Sequence, residues 1–185
     1  MFFIYIYWIA VIYSFPDPDS FIVYTVPTDV AVNAIQSTIF HSFLRLFIAT
    51  GVFISLQPNN VSELQNRLRT LKYLVVDEKS IIGFRLLANV DSRLCQTFSY
   101  SNNEVFGSIN IILINDFYQL PPVKQRPLYY PEELRDVTEI AGRNAYMALD
   151  HTIELKTVQR QRGPKEQTFR NALDGLRVNR PNIQH

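Results

Sequence analysis

The chain has 185 residues, of which 47% are hydrophobic and 13% aromatic, and these values indicate a globular domain rather than a disordered chain. Its formal net charge of +1 excludes the strongly basic surface by which composition alone would indicate a nucleic-acid-binding protein. A single cysteine, Cys95, excludes an internal disulfide, and no Cys and His spacing suits zinc, which favours an intracellular setting.

The first fifteen residues, MFFIYIYWIAVIYSF, carry no charge and no glycine. They are shorter than the roughly 20 apolar residues that span a bilayer, and they lack the basic leader and cleavage site of a signal peptide. We therefore favour a buried strand over a membrane anchor, with foreign sequence at the start of a truncated reading frame as the third alternative. FPDPDS at 15–20 then interrupts regular structure because it contains two prolines.

Three runs that are apolar throughout predict strands, namely FIVYTV (21–26), YLVV (73–76) and INIILI (109–114). Strands that do not alternate apolar and polar residues are typical of a sheet buried on both faces. A further strand is predicted at TIELK (152–156). With helical segments between the strands, the pattern predicts an α/β fold, a mostly parallel sheet covered by helices.

Apolar residues at helical spacing predict the intervening helices. One includes Val61, with Ser62 and Gln65 as a capping box. Another begins near Ile81, with Arg93 on its more polar side, and a last one surrounds Phe169. Helical potential is also present at the end of the segment 31–47, whereas 51–60, 99–108 and a proline-containing stretch to about 135 read as irregular.

Acidic residues follow two of the predicted strands: Asp77 and Glu78 after the second, and Asp116 after the third. Ligands of parallel sheets collect at the carboxyl ends of the strands. An aspartate there suits the Mg²⁺ that bridges two phosphates of a nucleotide, and Glu78, pointing the opposite way along the pleat, suits the base that polarises water. The alternative is a strand end whose polar residues cap a helix.

Gln119 stands just before Leu120 and two prolines, which stiffen the backbone after it. A neutral amide held beside a phosphate site can sense the γ-phosphate through a hydrogen bond without adding charge. The alternative is a surface glutamine on a strand that prolines terminate.

VVDEKSIIG, SINIILINDFYQLPPV some thirty residues later, and VQRQRG together resemble the Pif family of ATP-dependent DNA helicases in superfamily one. The resemblance covers nearly all of 21–180, including the order and spacing of the blocks. It implies a divergent segment at 1–20 and, at 21–185, a partial RecA-like helicase domain of the P-loop NTPase class. The implied activity is ATP hydrolysis coupled to DNA unwinding, in DNA repair, recombination and telomere maintenance.

The resemblance also assigns roles at matching positions. Asp77 would coordinate Mg²⁺, and Glu78 would be the catalytic base for the hydrolysis of ATP. Gln119 would contact the γ-phosphate, and Arg160 would approach it as a charge-stabilising finger. Without the resemblance, Arg160 would be interpreted as a surface arginine after an edge strand.

PTDVAV and STIFHS resemble family segments that run along single-stranded DNA, which places Pro27, Thr28 and His41 near that path. A lone histidine is also commonly structural. The implied partners are single-stranded DNA and duplex junctions, with no lipid, and the implied compartment is the nucleus or the mitochondrion of a eukaryote.

The sequence also departs from the family pattern. No glycine among the six is followed by lysine, so the phosphate-binding loop G-x-x-x-x-G-K-[ST] is not in this sequence. Asp29 and Asn115 stand where the family has glycine, and Phe40 looks like an extra residue. We therefore expect a fragment of the first motor domain that binds ATP weakly, its missing helicase portion lying in the intact gene product. The alternatives are a catalytically dead module that binds nucleic acid or protein, and a membrane-tethered protein that uses residues 1–15.

Overall fold

The computed structural model describes residues 21–26, 38–47, 53–114, 119–154 and 166–177. The described residues up to His151 form one compact unit, and those from Thr152 onward belong to a second. The first unit contains β1 (Ile22–Val26), β2 (Thr38–Ile39), α1 (Phe40–Phe43), α2 (Pro58–Leu68), β3 (Tyr73–Val76), α3 (Phe84–Thr97), β4 (Asn110–Leu113) and α4 (Val137–Met147). The second unit contains α5 (Gln167–Arg177).

The four strands form one parallel sheet in the order β2-β1-β3-β4. Thr25 of β1 aligns with Thr38 of β2 on one side and with Val76 of β3 on the other. Three of these strands lie in the predicted apolar runs, and the short β2 was not predicted. The parallel α/β fold is therefore confirmed, and β3 is an interior strand.

The two faces of the sheet differ in burial. Leu74 and Val76 of β3 face the main hydrophobic cluster, and Val75 between them is buried on the opposite face. Ile112 of β4 is 44% exposed, because β4 is the edge strand in the described part of the chain. The prediction that the strands are buried on both faces is thus confirmed for β3 and wrong for β4.

Helices α3 and α4 pack closely, and the contact depends on a glycine. A Cβ atom built at Gly142 of α4 would stand 2.6 Å from the carbonyl carbon of Phe84 in α3. Arg143 places its guanidinium 5.2 Å from the centre of the Phe84 ring. Helix α4 was not predicted: a valine and a threonine at its start and a glycine inside it all weaken helical propensity, and packing on α3 overrides this.

Two other local predictions are wrong. Ser62 does not form a capping box, because α2 begins at Pro58, and the Ser62 hydroxyl donates to the Pro58 carbonyl instead (3.1 Å). Of the strand predicted at 152–156, residues 152–154 form no strand, and the rest lies outside the described residues. The last predicted helix is confirmed as α5.

Arg93 was placed on the polar side of its helix but is one of the most buried side chains, with 1% exposure. Its guanidinium donates to the carbonyls of Ile54 (2.8 Å) and Arg45 (3.2 Å) and to the side chain of Gln96. It also lies over the Phe53 ring, 4.9 Å from its centre. Arg93 therefore joins α3 to two irregular segments.

In the part of the chain that the structure describes, no helix is long and apolar enough to cross a membrane. Residues 1–15, for which we favoured a buried strand, lie outside the described residues.

Candidate nucleotide site

Asp77 directly follows the interior strand β3 and extends its pairing. Its backbone N–H donates to the Thr25 carbonyl (3.0 Å), and its carboxylate accepts a hydrogen bond from the Glu78 N–H (2.8 Å). Asp77 as a whole residue is 8% exposed, and this burial raises the pKa of its carboxyl group. The charge of Glu78 raises that pKa further, while the hydrogen bond from the Glu78 N–H lowers it. A buried carboxylate of this kind is a suitable ligand for a hard cation such as Mg²⁺.

Glu78 adopts a left-handed backbone conformation, with φ 55° and ψ 42°. The expectation that Glu78 points opposite to Asp77 along a pleat is wrong, because the strand already ends at Val76. A non-glycine residue in this region costs energy, and such residues are concentrated at functional sites. The half-buried Glu78 is thus held by a turn rather than by the sheet.

The turn after Glu78 is a short 3-10 helix, Lys79–Ile81, and it is tied to the end of β4. Ile114 N–H donates to the Val76 carbonyl (2.8 Å), and Lys79 N–H donates to the Ile114 carbonyl (3.2 Å). Burial lowers the pKa of Lys79. Glu78 directly precedes this 3-10 helix, but its side chain makes no capping hydrogen bond. The alternative interpretation of Glu78 as a helix cap is therefore not supported.

Gln119 lies in a loop and is exposed, as are Leu120 and Val123, whereas Pro122 between them is buried. Further along, this loop contacts the start of α3. The Gln125 side chain accepts from Leu86 N–H (3.1 Å), and the Arg126 carbonyl accepts from Phe84 N–H (3.1 Å). The exposure of Gln119 suits contact with a ligand, and it is also what a surface glutamine would show.

His41 lies in α1, immediately after β2. It is half-buried with its ring edge-on to Phe40 (5.8 Å between centres), and burial lowers its pKa. Its carbonyl accepts from Leu46 N–H (2.8 Å). These contacts are compatible with a structural role as well as with a place beside DNA.

The other predicted site residues, Pro27, Thr28, Asp116 and Arg160, lie outside the described residues, as do the departures at Asp29 and Asn115. Within the described residues there is no group of three or more His, Cys, Asp or Glu that could hold a metal. Asp77 and Glu78 alone therefore provide the described acidic oxygens of the candidate site.

The sequence analysis did not identify Gln125. Its signal is indirect: Gly83, the residue before α3, has no side chain with which to cap the helix, so the first amides need acceptors from elsewhere. Which distant residue supplies them is not readable from the sequence alone.

A family model described as "PIF1-like helicase" matches residues 5–176. The chain belongs to this family. ATP-dependent DNA helicase PIF1 of Candida albicans is 30% identical over 158 residues, which are 83% of this chain and 17% of the relative. The PIF1 helicase of Emericella nidulans is 30% identical over 174 residues, which are 88% of this chain and 20% of that protein. This member of the PIF1-like family thus spans about a fifth of the length of these relatives.

Solved Pif1 structures share the fold. The Candida albicans Pif1 helicase matches with a TM-score of 0.60 and 24% identity, over 86% of this chain and 34% of that chain. A Bacteroides Pif1 bound to single-stranded DNA matches with a TM-score of 0.59 and 19% identity, over 86% and 37%. The PIF1-like chain therefore has the fold of part of a RecA-like helicase domain, as the sequence analysis predicted.

Proposed function

We propose that this chain is part of an ATP-dependent DNA helicase of the Pif type, in which ATP hydrolysis drives DNA unwinding. The observation that carries the proposal is the position of Asp77 and Glu78, directly after an interior parallel strand of a PIF1-like chain. Carboxylates at that edge of a sheet are suited to nucleotide chemistry.

Four residues of the chain would take part in ATP hydrolysis. Asp77 would hold Mg²⁺, which when bound neutralises charge on the phosphates. Glu78 would accept the proton of the attacking water. Gln119 would donate a hydrogen bond to the γ-phosphate, and Arg160 would stabilise the charge that develops there.

Single-stranded DNA and duplex junctions are the proposed partners, with Pro27, Thr28 and His41 along the strand. The Bacteroides relative that was solved with single-stranded DNA supports this choice. By family, the proposed setting is DNA repair, recombination and telomere maintenance in the nucleus or the mitochondrion. We propose further that residues 21–185 act as the helicase domain and 1–20 as a separate segment.

ATP binding by the chain itself should be weak. Without a phosphate-binding lysine and its glycine-rich loop in this sequence, several charge-assisted contacts are lost, each worth roughly 1.5–3 kcal/mol. The same observation favours a second candidate function, a RecA-like module that binds nucleic acid or protein without catalysis.

Four measurements on the purified chain separate the two functions: calorimetric titration with Mg-ATP, calorimetric titration with single-stranded DNA, ATP turnover with single-stranded DNA, and strand separation. Glu78→Gln tests the base, and Glu133→Gln, at an exposed glutamate, is the control. Turnover that E78Q abolishes and E133Q preserves would support the helicase. DNA binding without turnover would support the module, and low-micromolar affinity for Mg-ATP would contradict the expected weak binding.

A further inference from the structure

The amino terminus of α3 is capped by a loop that lies some forty residues away in sequence. The first backbone N–H groups of a helix have no partner inside the helix and need acceptors from outside. Leu86 N–H and Phe84 N–H find theirs in the Gln125 side chain and the Arg126 carbonyl, at 3.1 Å each. Gly83, which precedes α3, offers no side chain of its own.

Close packing fixes the Gln125 side chain in this position. A Cβ atom built at Gly83 would stand 2.7 Å from Gln125 Oε1 and 3.0 Å from the Arg126 carbonyl oxygen. Gly83 also forms an isolated antiparallel bridge with Pro127. The backbone that directly follows Gln125 is therefore held against residues 83–86.

A charged network holds the same loop from the other side. Arg126 pairs with Glu139 of α4, which is almost fully buried, and Arg85 of α3 contacts the same carboxylate at 3.4 Å. Arg85 also contacts Asp136 at 3.2 Å, and Asp136 caps α4 by accepting from Glu139 N–H (2.9 Å). The start of α3, the loop and the start of α4 are thus joined at one place.

The two candidate site segments are consequently linked at each end. Near Glu78, Lys79 N–H is bonded to the Ile114 carbonyl at the end of β4. Beyond Gln119, Gln125 is bonded to the helix that the turn 77–83 leads into. We expect a displacement of either segment to act on the other through these hydrogen bonds.

We propose that Gln125 is a positioning residue that holds the Gln119 loop and the Glu78 turn as one unit. It contacts no nucleotide and acts through the two segments that it joins. The inference rests on the proposed function, because Gln119 and Glu78 are the groups that would face the γ-phosphate and the attacking water.

Deuterium uptake of the whole chain tests the proposal, with peptides covering 77–83, 84–90 and 119–124. Gln125→Ala should raise the amide exchange rates roughly fivefold in all three peptides, the change expected when one net hydrogen bond is lost. The Gln125→Glu chain should show the wild-type exchange, because its carboxylate still accepts from Leu86 N–H. The negative charge also interacts favourably with the positive end of the helix dipole. Gln65→Ala is the matched control, since Gln65 donates to the Thr97 carbonyl at the far end of α3 (2.9 Å).

An increase confined to 84–90 in the Q125A chain would overturn the proposal, since Gln125 would then be a helix cap alone. If the Q125A chain unfolds globally, Gln125→Asn replaces it, because a side chain shorter by one methylene does not reach Leu86 N–H. The Q125N chain is then judged by the same comparison of the three peptides. The proposed function is tested separately, by the turnover of ATP in the E78Q and E133Q chains. If those measurements contradict it, the nucleotide-free exchange comparison still decides whether Gln125 joins the two segments.

Discussion

Gly142 of α4 lies against the backbone of Phe84 in α3 so closely that a Cβ atom there would stand 2.6 Å from the Phe84 carbonyl carbon. Gly142→Ala must therefore push α4 away from α3, since backbone atoms cannot move aside as a flexible side chain can. We expect the free energy of unfolding in urea to fall by roughly 1–3 kcal/mol, the usual cost of overpacking.

Asn144→Ala is the control for that variant, because Asn144 is exposed on the same helix and alanine favours a helix. Its free energy of unfolding should be unchanged or slightly higher. Equal stability of the G142A chain and the wild type would show that the two helices are not in contact.

Arg93 should be essential for stability. Arg93→Met removes a donor from each of the Arg45 and Ile54 carbonyls in a partly buried region. It also removes one of the two donors to the Gln96 side-chain oxygen, which keeps its hydrogen bond from Leu56 N–H. We expect a loss of roughly 2–4 kcal/mol in the free energy of unfolding, measured by denaturant titration. Arg135→Met, at an exposed arginine, should change it by less than about 0.5 kcal/mol.

Glu78 offers a comparison that isolates backbone strain. Glu78→Ala and Glu78→Gly both remove the carboxylate, but only glycine adopts φ 55° without a steric penalty. We expect E78G to unfold with a free energy about 1 kcal/mol higher than E78A, although glycine normally destabilises a folded chain. A more stable E78A would mean that residue 78 is not left-handed in solution.

Asp77 should make stability depend on pH. Because burial raises its pKa in the folded chain, the folded state binds the proton more tightly than the unfolded state. Its contribution is therefore most favourable below the ordinary aspartate pKa and is lost as the pH rises through the higher folded pKa. Asp77→Asn, which keeps an acceptor for Glu78 N–H, should be more stable than the wild type at pH 7.

The advantage of the D77N chain should narrow as the pH falls toward 4, which thermal unfolding at a series of pH values would measure. An advantage that stays constant over this range would show that the Asp77 pKa is not raised.

Strands β1, β3 and β4 were predictable because an apolar run bounded by turns carries its own signal, and they indicated a mostly parallel sheet. The short β2 and the order of the strands were not predicted. Strand β3 and the two acidic residues after it are local features of the sequence. The helical spacing of apolar residues that predicted α3 is local as well. Helix α4 was not predicted, since its valine, threonine and glycine weaken helical propensity and the fit of Gly142 on Phe84 is a tertiary contact. The Asp136 cap is a local signal that the sequence did carry.

The burial of the Arg93 charge was also not predictable from the sequence. Arg93 falls on a helix with polar neighbours, and only the folded chain brings the carbonyls of two distant segments to it. The left-handed turn at Glu78 is similar, because an isolated Asp-Glu-Lys sequence has no preference for that conformation. The resemblance suggested roles for Asp77 and Glu78, and the tertiary fold determines their conformation.

The cap of α3 bears on the order in which a growing polypeptide acquires its structure. While the ribosome has released only the residues up to about 120, the first turn of α3 has neither Gln125 nor Arg126 to accept its N–H groups. That turn must therefore fray in the nascent chain until the later loop emerges and docks. The start of α3, into which the Glu78 turn leads, therefore becomes fully ordered only after Gln125 and Arg126 have left the exit tunnel.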